Sequence, residues 1–505
     1  MEYPVSTTAT PQPWKDKNLF CHDLPTEPRP EVGTVLVTGA CGYIGGRLVP
    51  ELLARGYRVR VMVRGTSPKC TWPEAEMAVA DALDCESLKE ALNGVSVAYY
   101  LIHSMLLGTR EFARADIRAA ENFRRAAEEM NVGRIIYLGG LGDVRSKLSQ
   151  HLRSRMEVAR ELARGKTPVT ILRAAVIIGS GSASYEIIKH IVLKLPIIPI
   201  PSFARSLCQP IAVRDVIKYL VGVLENPETA GRTFDIGGDE IMTYERMVRI
   251  VAELLRRRRL FVPFLFSNIR LYAYIAGLLT PVPDQITRAL MEGLRNDVSC
   301  QDDSIRRQIP FETISYRTSI VRAMTREEQD RVHTRWSDAY PPAHELALKL
   351  NELAGAPKYM AAYSIIAGKD ESALFRSLCR IGGAEGWFRG NWMWRMRGAF
   401  DRLIGGVGTS RGRRQLSGLY VDDVVDFWRV EDLEENRRLL LRSEMRLPGK
   451  AWLEFRIKPE GTANRLFVKA YYHSTGLFGR LYWYIFLPFH RYIFKGLIRQ
   501  IAERS

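Results

Sequence analysis

Thr34-Val-Leu-Val-Thr-Gly39-Ala-Cys-Gly42-Tyr-Ile-Gly45-Gly46-Arg47 runs a short apolar strand into a glycine-spaced turn and then a helix. That order builds a cradle for a dinucleotide pyrophosphate. Gly39 permits the tight turn, Gly42 lets the backbone approach the phosphates, and Gly45 lets the helix pack on the strand while its first N–H groups face the anion. Tyr43 and Ile44 lie between these glycines and join them as expected cofactor contacts. The flanking sequence agrees: Leu48, Val49, Leu52 and Leu53 share one face of a helix from Arg47 to Arg55, and a second strand, Arg58 to Val63, alternates Val59, Val61 and Val63.

Arg64 follows that strand where an NAD-selective protein would usually place an acid against the ribose 2′-hydroxyl. A guanidinium there suits a 2′-phosphate, which favours NADP over NAD, although one more solvated base in a basic chain would look the same. Asp81, after the apolar run Met77 to Ala80, can accept from an adenine amino group or can simply cap a turn.

At 505 residues the chain exceeds one ordinary core, and a hydrophobic content of 46% places it among globular proteins. The seven cysteines are scattered without a CxxC pair or metal-ligand spacing, which suits a reducing cytoplasm and argues against a structural metal. Residues 1–30 are proline-rich, lack an apolar signal core and read as an N-terminal arm or loose tail. Net charge is +17, and residues 371–505, with 24 Lys/Arg against 14 Asp/Glu, supply +10 of it. Without a helix-turn-helix, zinc finger or RNP-type strand, no nucleic acid is expected; a solvated basic face, peripheral to an anionic membrane, fits better.

Strands and helices then alternate. Val95 to Ile102 reads as the fourth strand, Arg134 to Leu138 as the fifth and Val169 to Leu172 as the sixth, with helices near 110–130 and 148–163 between them. This predicts an α/β fold with a doubly wound parallel sheet and ligands at the strand C-terminal ends. That rule nominates His103, Ser104 and Met105 after the fourth strand, Gly139 and Gly140 after the fifth, and Arg173 and Ala174 after the sixth; Leu101, near the end of the fourth strand, joins the expected cofactor contacts.

With the glycine loop, Arg64 and Asp81, the stretches Leu172-Arg-Ala-Ala-Val-Ile-Ile-Gly179, Gln209-Pro-Ile-Ala-Val-Arg-Asp215 and Thr233-Phe-Asp-Ile-Gly-Gly238 resemble the extended and atypical short-chain dehydrogenase/reductases, NmrA-like branch included. The resemblance covers about residues 33–345 and implies an NAD(P)-dependent oxidoreductase. In that superfamily a Tyr-x-x-x-Lys pair on the helix after the fifth strand transfers the proton. Here the helix reads His151-Leu-Arg-Ser-Arg155. Arg155 can hold the nicotinamide ribose and His151, or His103, can supply a proton near neutral pH; alternatively, the histidines are ordinary structural residues and the helix has lost its catalytic duty.

Beyond residue 345, Trp387, Trp392 and Trp394 precede strand-like runs at Val424 to Val430, Arg438 to Met445, Ala451 to Ile457 and Arg465 to Tyr472, then a helix from about Tyr482 to Glu503 bent at Pro488. Asp426-Phe-Trp-Arg-Val430 and Glu444-Met-Arg-Leu-Pro-Gly449-Lys-Ala-Trp-Leu453 resemble an uncharacterised α+β helix-grip domain similar to the SRPBCC or START-like group. Such modules enclose apolar cavities, so the resemblance implies a hydrophobic ligand. Leu260 to Pro283 is too interrupted to span a membrane, whereas Leu477 to Ile498 fits either an interfacial helix or a helix closing the cavity.

Three parts are therefore expected: an arm (1–30), an NAD(P)-binding domain (31–345) with a substrate subdomain from about 175, and a helix-grip domain (346–505). The expected activity is reduction of a lipid, isoprenoid or quinone-like substrate in the cytoplasm, peripheral to the membrane; the rival is a non-catalytic NADP(H) sensor or scaffold. Oligomeric state is left open.

Overall fold

The computed structural model describes residues 19–63, 72–102, 109–142, 149–264, 268–280, 282, 284–328, 350, 357–382, 386–387, 391–404, 406, 408, 419, 423–461, 463–474 and 476–505. Its first half holds β1 (Thr34–Val37), α1 (Gly45–Ala54), β2 (Arg58–Val63), β3 (Glu76–Val79), α2 (Cys85–Leu92), β4 (Val95–Tyr100), α3 (Thr109–Glu129), β5 (Arg134–Gly140), α4 (Gln150–Leu162) and β6 (Val169–Ala174). There follow β7 (Ile177–Ile178), α5 (Ala183–Lys194), β8 (Ile197–Pro201), β9 (Leu207–Cys208), β10 (Ile211–Ala212), α6 (Val213–Glu225) and β11 (Thr233–Ile236). Seven parallel strands pair in the order β11-β6-β5-β4-β1-β2-β3. The order reverses between β1 and β4, where Val37 lies beside Tyr99, and such a reversal opens a crevice at the strand ends.

Helices cover both faces. Leu48, Val49 and Leu52 of α1 and Val216, Leu220 and Val223 of α6 pack on one face, with Val35, Val37 and Val61. Leu88 of α2, Phe123 of α3 and Val158 of α4 pack on the other, with Leu36, Ala98 and Ile135. Strands buried on both faces read as nearly continuous apolar runs, which is why the sequence pattern located them.

From residue 19 the N-terminal segment is ordered by buried charges. Phe20 and Cys21 donate their backbone N–H groups to Glu51 of α1 at 2.6 and 3.0 Å. Burial raises the Glu51 pKa. Arg55 donates to the carbonyls of Cys21 and Thr26 and pairs through Nε and Nη2 with Glu225 of α6 at 2.6 and 2.7 Å. Both side chains of that pair are fully buried.

The segment after β11 holds β12 (Met242–Thr243), α7 (Tyr244–Leu254), β13 (Leu260–Phe264), α8 (Ile269–Leu279), α9 (Asp284–Gly293), α10 (Ser304–Gln308) and α11 (Tyr316–Glu328). Short pairs β8 with β13 and β9 with β12 tie it to the stretch between β6 and β11, where β7 pairs with β10. The apolar run from Leu260 is thus a strand and a short helix, and no helix among the described residues is long and apolar enough to cross a membrane.

The C-terminal part is a second, antiparallel sheet. Its elements are β14 (Tyr359–Ala367), α12 (Glu371–Leu378), α13 (Asn391–Leu403), β15 (Val424–Val425), β16 (Trp428–Glu434), β17 (Arg438–Ser443), β18 (Gly449–Glu460), β19 (Ala463–Ser474) and α14 (Gly476–Glu503), and the six strands run β14-β19-β18-β17-β16-β15. The expected strand over Val424 to Val430 is instead β15 and the start of β16, parted at Asp426, whose positive φ of 58° turns the chain. β14, α12 and α13 have no counterpart among the expected elements: β14 mixes buried and exposed apolar residues without clean alternation, which blurs its period. Phe494, Leu497, Ile498 and Ile501 of α14 pack on Leu439, Leu441, Leu453 and Phe455, and Pro488 lies inside the helix.

Replacing Glu225 with alanine leaves the Arg55 guanidinium buried and uncompensated, so unfolding in urea should show a loss of about 3–5 kcal/mol, with faster proteolysis near residue 26. A second expectation concerns His490, whose pKa burial lowers to about 4. Between that value and the ordinary 6.5 the unfolded chain binds the proton and the folded one does not, so stability falls as pH drops through this window. The loss is at most about 3 kcal/mol near pH 4. His490→Phe should flatten that slope in melts recorded from pH 4 to 7.

Candidate functional site

Between β1 and α1 the loop is held from within. Thr38 donates its backbone N–H to the carbonyl of Tyr99 at 3.0 Å. Its hydroxyl donates to the same carbonyl and accepts from the N–H of Leu101, both at 2.9 Å, which clamps the turn to the end of β4. Gly39 has a φ of +60°, and a β-carbon there would lie 2.9 Å from the Leu101 oxygen, so the turn requires glycine. At Gly45 a β-carbon would lie 2.3 Å from the Gly39 oxygen and 2.8 Å from the Cα of Ala40, so α1 sits directly on the turn. Ile44 is the N-cap and supplies no side-chain hydrogen bond, and the first turn of α1 has no acid. A helix N-terminus left in this state at the strand-order reversal fits a pyrophosphate.

Tyr43 and Arg47 brace the loop. The Arg47 guanidinium lies 4.3 Å from the centre of the Tyr43 ring and donates to the carbonyls of Tyr43 and Ser180 at 3.0 and 2.9 Å. The Tyr43 hydroxyl reaches the loop after β7, lying 2.7 Å from where a β-carbon on Gly179 would sit.

Arg155, on α4, reaches the same sheet edge. Nη2 donates to the carbonyl of Leu138 at 2.9 Å and Nη1 to that of Ile102 at 3.4 Å, and the guanidinium lies 5.1 Å from the centre of the Tyr137 ring. Tyr137 donates its hydroxyl to the Arg155 carbonyl at 3.1 Å. Gly140 abuts this helix: a β-carbon there would lie 3.0 Å from Leu152 Cδ2 and 3.7 Å from Arg155 Cγ. The structure therefore gathers Gly39, Leu101, Gly139 and Arg155 at the ends of β1, β4 and β5. Arg155 also binds two backbone carbonyls, a role the sequence does not announce.

Asp81 is exposed beyond β3, and its carboxylate accepts the Leu83 N–H at 2.9 Å in an Asx turn. Arg64 and His103 lie outside the described residues. His151 is in the first turn of α4, which Ser149 caps by accepting from the Leu152 N–H at 3.3 Å, but its side chain lies outside the described set. The scattered cysteines suit a reducing compartment, yet Cys41, inside the glycine loop, is disulfide-bonded. Its partner lies outside the described residues, and Cys21, Cys85, Cys208, Cys300 and Cys379 form no disulfide. No group of acids, histidines or cysteines able to hold a metal occurs among the described residues.

Two further features are not visible in the sequence alone. Thr38 carries no signal of its own, because a strand-end threonine is common and its clamp exists only once β4 lies alongside. At the ends of β6 and β11, Arg173 pairs with the buried Asp235 at 2.6 Å, and Asp235 accepts the Gln301 N–H at 2.9 Å. These contacts close the edge next to the site with residues far apart in sequence.

Residues 31–258 match the NmrA-like family. Over that stretch the chain is similar to NmrA-like NAD(P)-binding Rossmann domains of the short-chain dehydrogenase/reductase type. Residues 353–497 match a family described as a protein of unknown function, DUF2867. The NmrA-like domain is similar to the mitochondrial NADH dehydrogenase [ubiquinone] 1 alpha subcomplex subunit 9 of Arabidopsis thaliana, 26% identical over 231 residues that cover 44% of this chain and 57% of that one. It is also similar to the chloroplastic divinyl chlorophyllide a 8-vinyl-reductase of Zea mays, 26% identical over 223 residues, 41% of this chain and 55% of that one. The chain spans a little over half the length of these two relatives. Among solved structures, a nucleoside-diphosphate-sugar epimerase from Staphylococcus aureus aligns with 57% of this chain and 99% of its own, at 16% identity and a TM-score of 0.48.

Gly45→Val should push α1 off the turn. Overpacking against backbone costs about 1–3 kcal/mol, and misdirecting the helix N-terminus should weaken NADPH about tenfold or more, equivalent to about 1.4 kcal/mol. Thermal melts and fluorescence titration check the two effects separately.

Proposed function

We propose that the protein is an NADP(H)-dependent oxidoreductase of the atypical short-chain dehydrogenase/reductase type, acting on a hydrophobic, lipid-, isoprenoid- or quinone-like substrate. The observation that carries the reading is the seat of α1: a helix N-terminus with no side-chain cap and no acid in its first turn, held against the Gly39 turn where strand order reverses between β1 and β4. Its Gly46 and Arg47 N–H groups are bonded to the Gly42 and Ile44 carbonyls, so that the helix dipole, with the glycine loop, would serve the anion. Gly39, Gly42 and Gly45 would hold the pyrophosphate, Asp81 the adenine side and Arg64 the 2′-phosphate. When bound, the reduced cofactor supplies a hydride. The chain's own share is to fix the edge of the crevice through Arg155 and to deliver a proton from His151 or His103 to the reduced substrate.

The hydrophobic substrate rests on the C-terminal domain, which we assign to the helix-grip class. Its strand order, with the first strand beside the last and a long C-terminal helix packed on the sheet, supports that assignment. The indole N–H groups of Trp394 and Trp428 are buried in this apolar interior without hydrogen-bond partners among the described residues. They would serve a carbonyl-bearing apolar ligand. The Zea mays relative, named a vinyl reductase, is compatible with this chemistry.

A specific observation keeps a second reading, a non-catalytic NADP(H) sensor or scaffold. Arg155 stands where the superfamily's lysine would serve the ribose, yet it donates to the carbonyls of Ile102 and Leu138. Catalysis predicts stoichiometric NADPH oxidation with a short-chain quinone, whereas a sensor binds NADPH without turnover.

NADPH should bind more tightly than NADH, and Arg64→Asp should narrow or reverse the ratio by about 1–3 kcal/mol in fluorescence titrations. Equal curves for the two cofactors with the unaltered chain would remove the NADP assignment.

A further inference from the structure

We propose that the outward face of α14 docks on an anionic lipid bilayer. The helix divides along its length. Its last turns enter the core through Phe494, Leu497, Ile498 and Ile501, whereas its first four turns bury only Gly479 and Trp483. Opposite those two, Leu477, Phe478, Leu481, Ile485, Phe489 and Tyr492 face solvent, each more than half exposed and Phe478 81% exposed. Their spacing places them on one continuous helical face.

The charge around that face has one sign. Arg480, Arg491, Lys495 and Arg499 are exposed, and Glu503 is the only acid in the helix. α13 repeats the chemistry: Trp392, Met396, Phe400 and Leu403 are exposed at helical spacing beside Arg395 and Arg402, and the helix's one acid, Asp401, is buried. An apolar stripe with aromatic side chains and bordering bases sits at the boundary between acyl chains and headgroups, where it loses apolar surface to water and gains anionic partners. A second copy of the same face would bring bases against bases with no acid between them. The helix is not apolar enough to cross a membrane, so shallow seating is the geometry that remains.

The test is co-sedimentation of the full chain with sucrose-loaded vesicles of phosphatidylcholine alone or of phosphatidylcholine and phosphatidylserine at roughly 3:1, a composition with a negative surface potential. The chain should pellet with the anionic vesicles and much less with the neutral ones, and binding should weaken as salt rises. Arg480→Glu with Arg491→Glu should lower partitioning about tenfold or more, each base near the surface being worth about fivefold. Phe478→Asp with Ile485→Asp should abolish binding while the melting temperature and NADPH titration stay unchanged. Equal binding to both vesicle types, no binding to either, or undiminished binding by the variants overturns the proposal. So does a dimer in light scattering that these substitutions dissolve in the absence of vesicle binding, which would assign the face to self-association.

Discussion

Gly45 backs onto the carbonyl of Gly39 so closely that a β-carbon would lie 2.3 Å from it, and this contact sets the direction in which α1 leaves the sheet. Every other feature of the crevice follows from that direction. With α1 seated there, its N-terminus lies at the end of β1, where the strand order reverses between β1 and β4. Thr38 then closes the other side by bridging Tyr99 and Leu101. Arg155 does the same between the ends of β4 and β5, so three neighbouring strand ends are tied together by side chains from a loop and a helix.

Buried charge gives this half its connectivity. Arg55 and Glu225 join α1 to α6, and Arg55 with Glu51 holds the segment from Phe20 to Thr26 against both helices. Ion pairs of this kind add little net stability compared with apolar packing, but removing one partner is costly, so they specify a single arrangement. Arg173 and Asp235 play the same part at the far edge, where Asp235 also receives the backbone of Gln301. The substrate-side segment is thereby tied to the sheet by specific polar contacts as well as by its own apolar cluster of Tyr185, Met247 and Ile320.

The C-terminal domain divides its apolar residues differently. One side of α14 completes the core of the antiparallel sheet, where Trp387, fully buried, donates its indole N–H to Asp426 at 2.7 Å. The other side leaves its large side chains in water. A helix that is apolar nearly all round presents no single dominant face, so periodicity alone could not say which side was core. His490 sits between these environments, 5.0 Å from the Trp483 ring and 5.3 Å from that of Phe494, and its burial holds it neutral.

The amino-acid sequence by itself determined the parallel-sheet half. The strand β2 lies at Arg58–Val63 as its alternation predicted, and α3, α4, β5 and β6 fall within a few residues of their expected positions, because buried parallel strands and amphipathic helices carry their periods locally. The glycine loop was legible for the same reason, since the positive φ of Gly39 and the contact of Gly45 with Gly39 and Ala40 arise within the loop, although the approach of Leu101 to Gly39 exists only once β4 lies alongside. Tertiary structure alone decided the clamps at Thr38, Arg155 and Arg173, whose partners lie tens of residues away and acquire meaning only when the sheet assembles. It also decided the break at Asp426, where a residue that tolerates the left-handed region turned one expected strand into two. Which side of α14 meets the core was settled by the sheet packed against it, because a helix with apolar residues on most faces does not encode its own orientation.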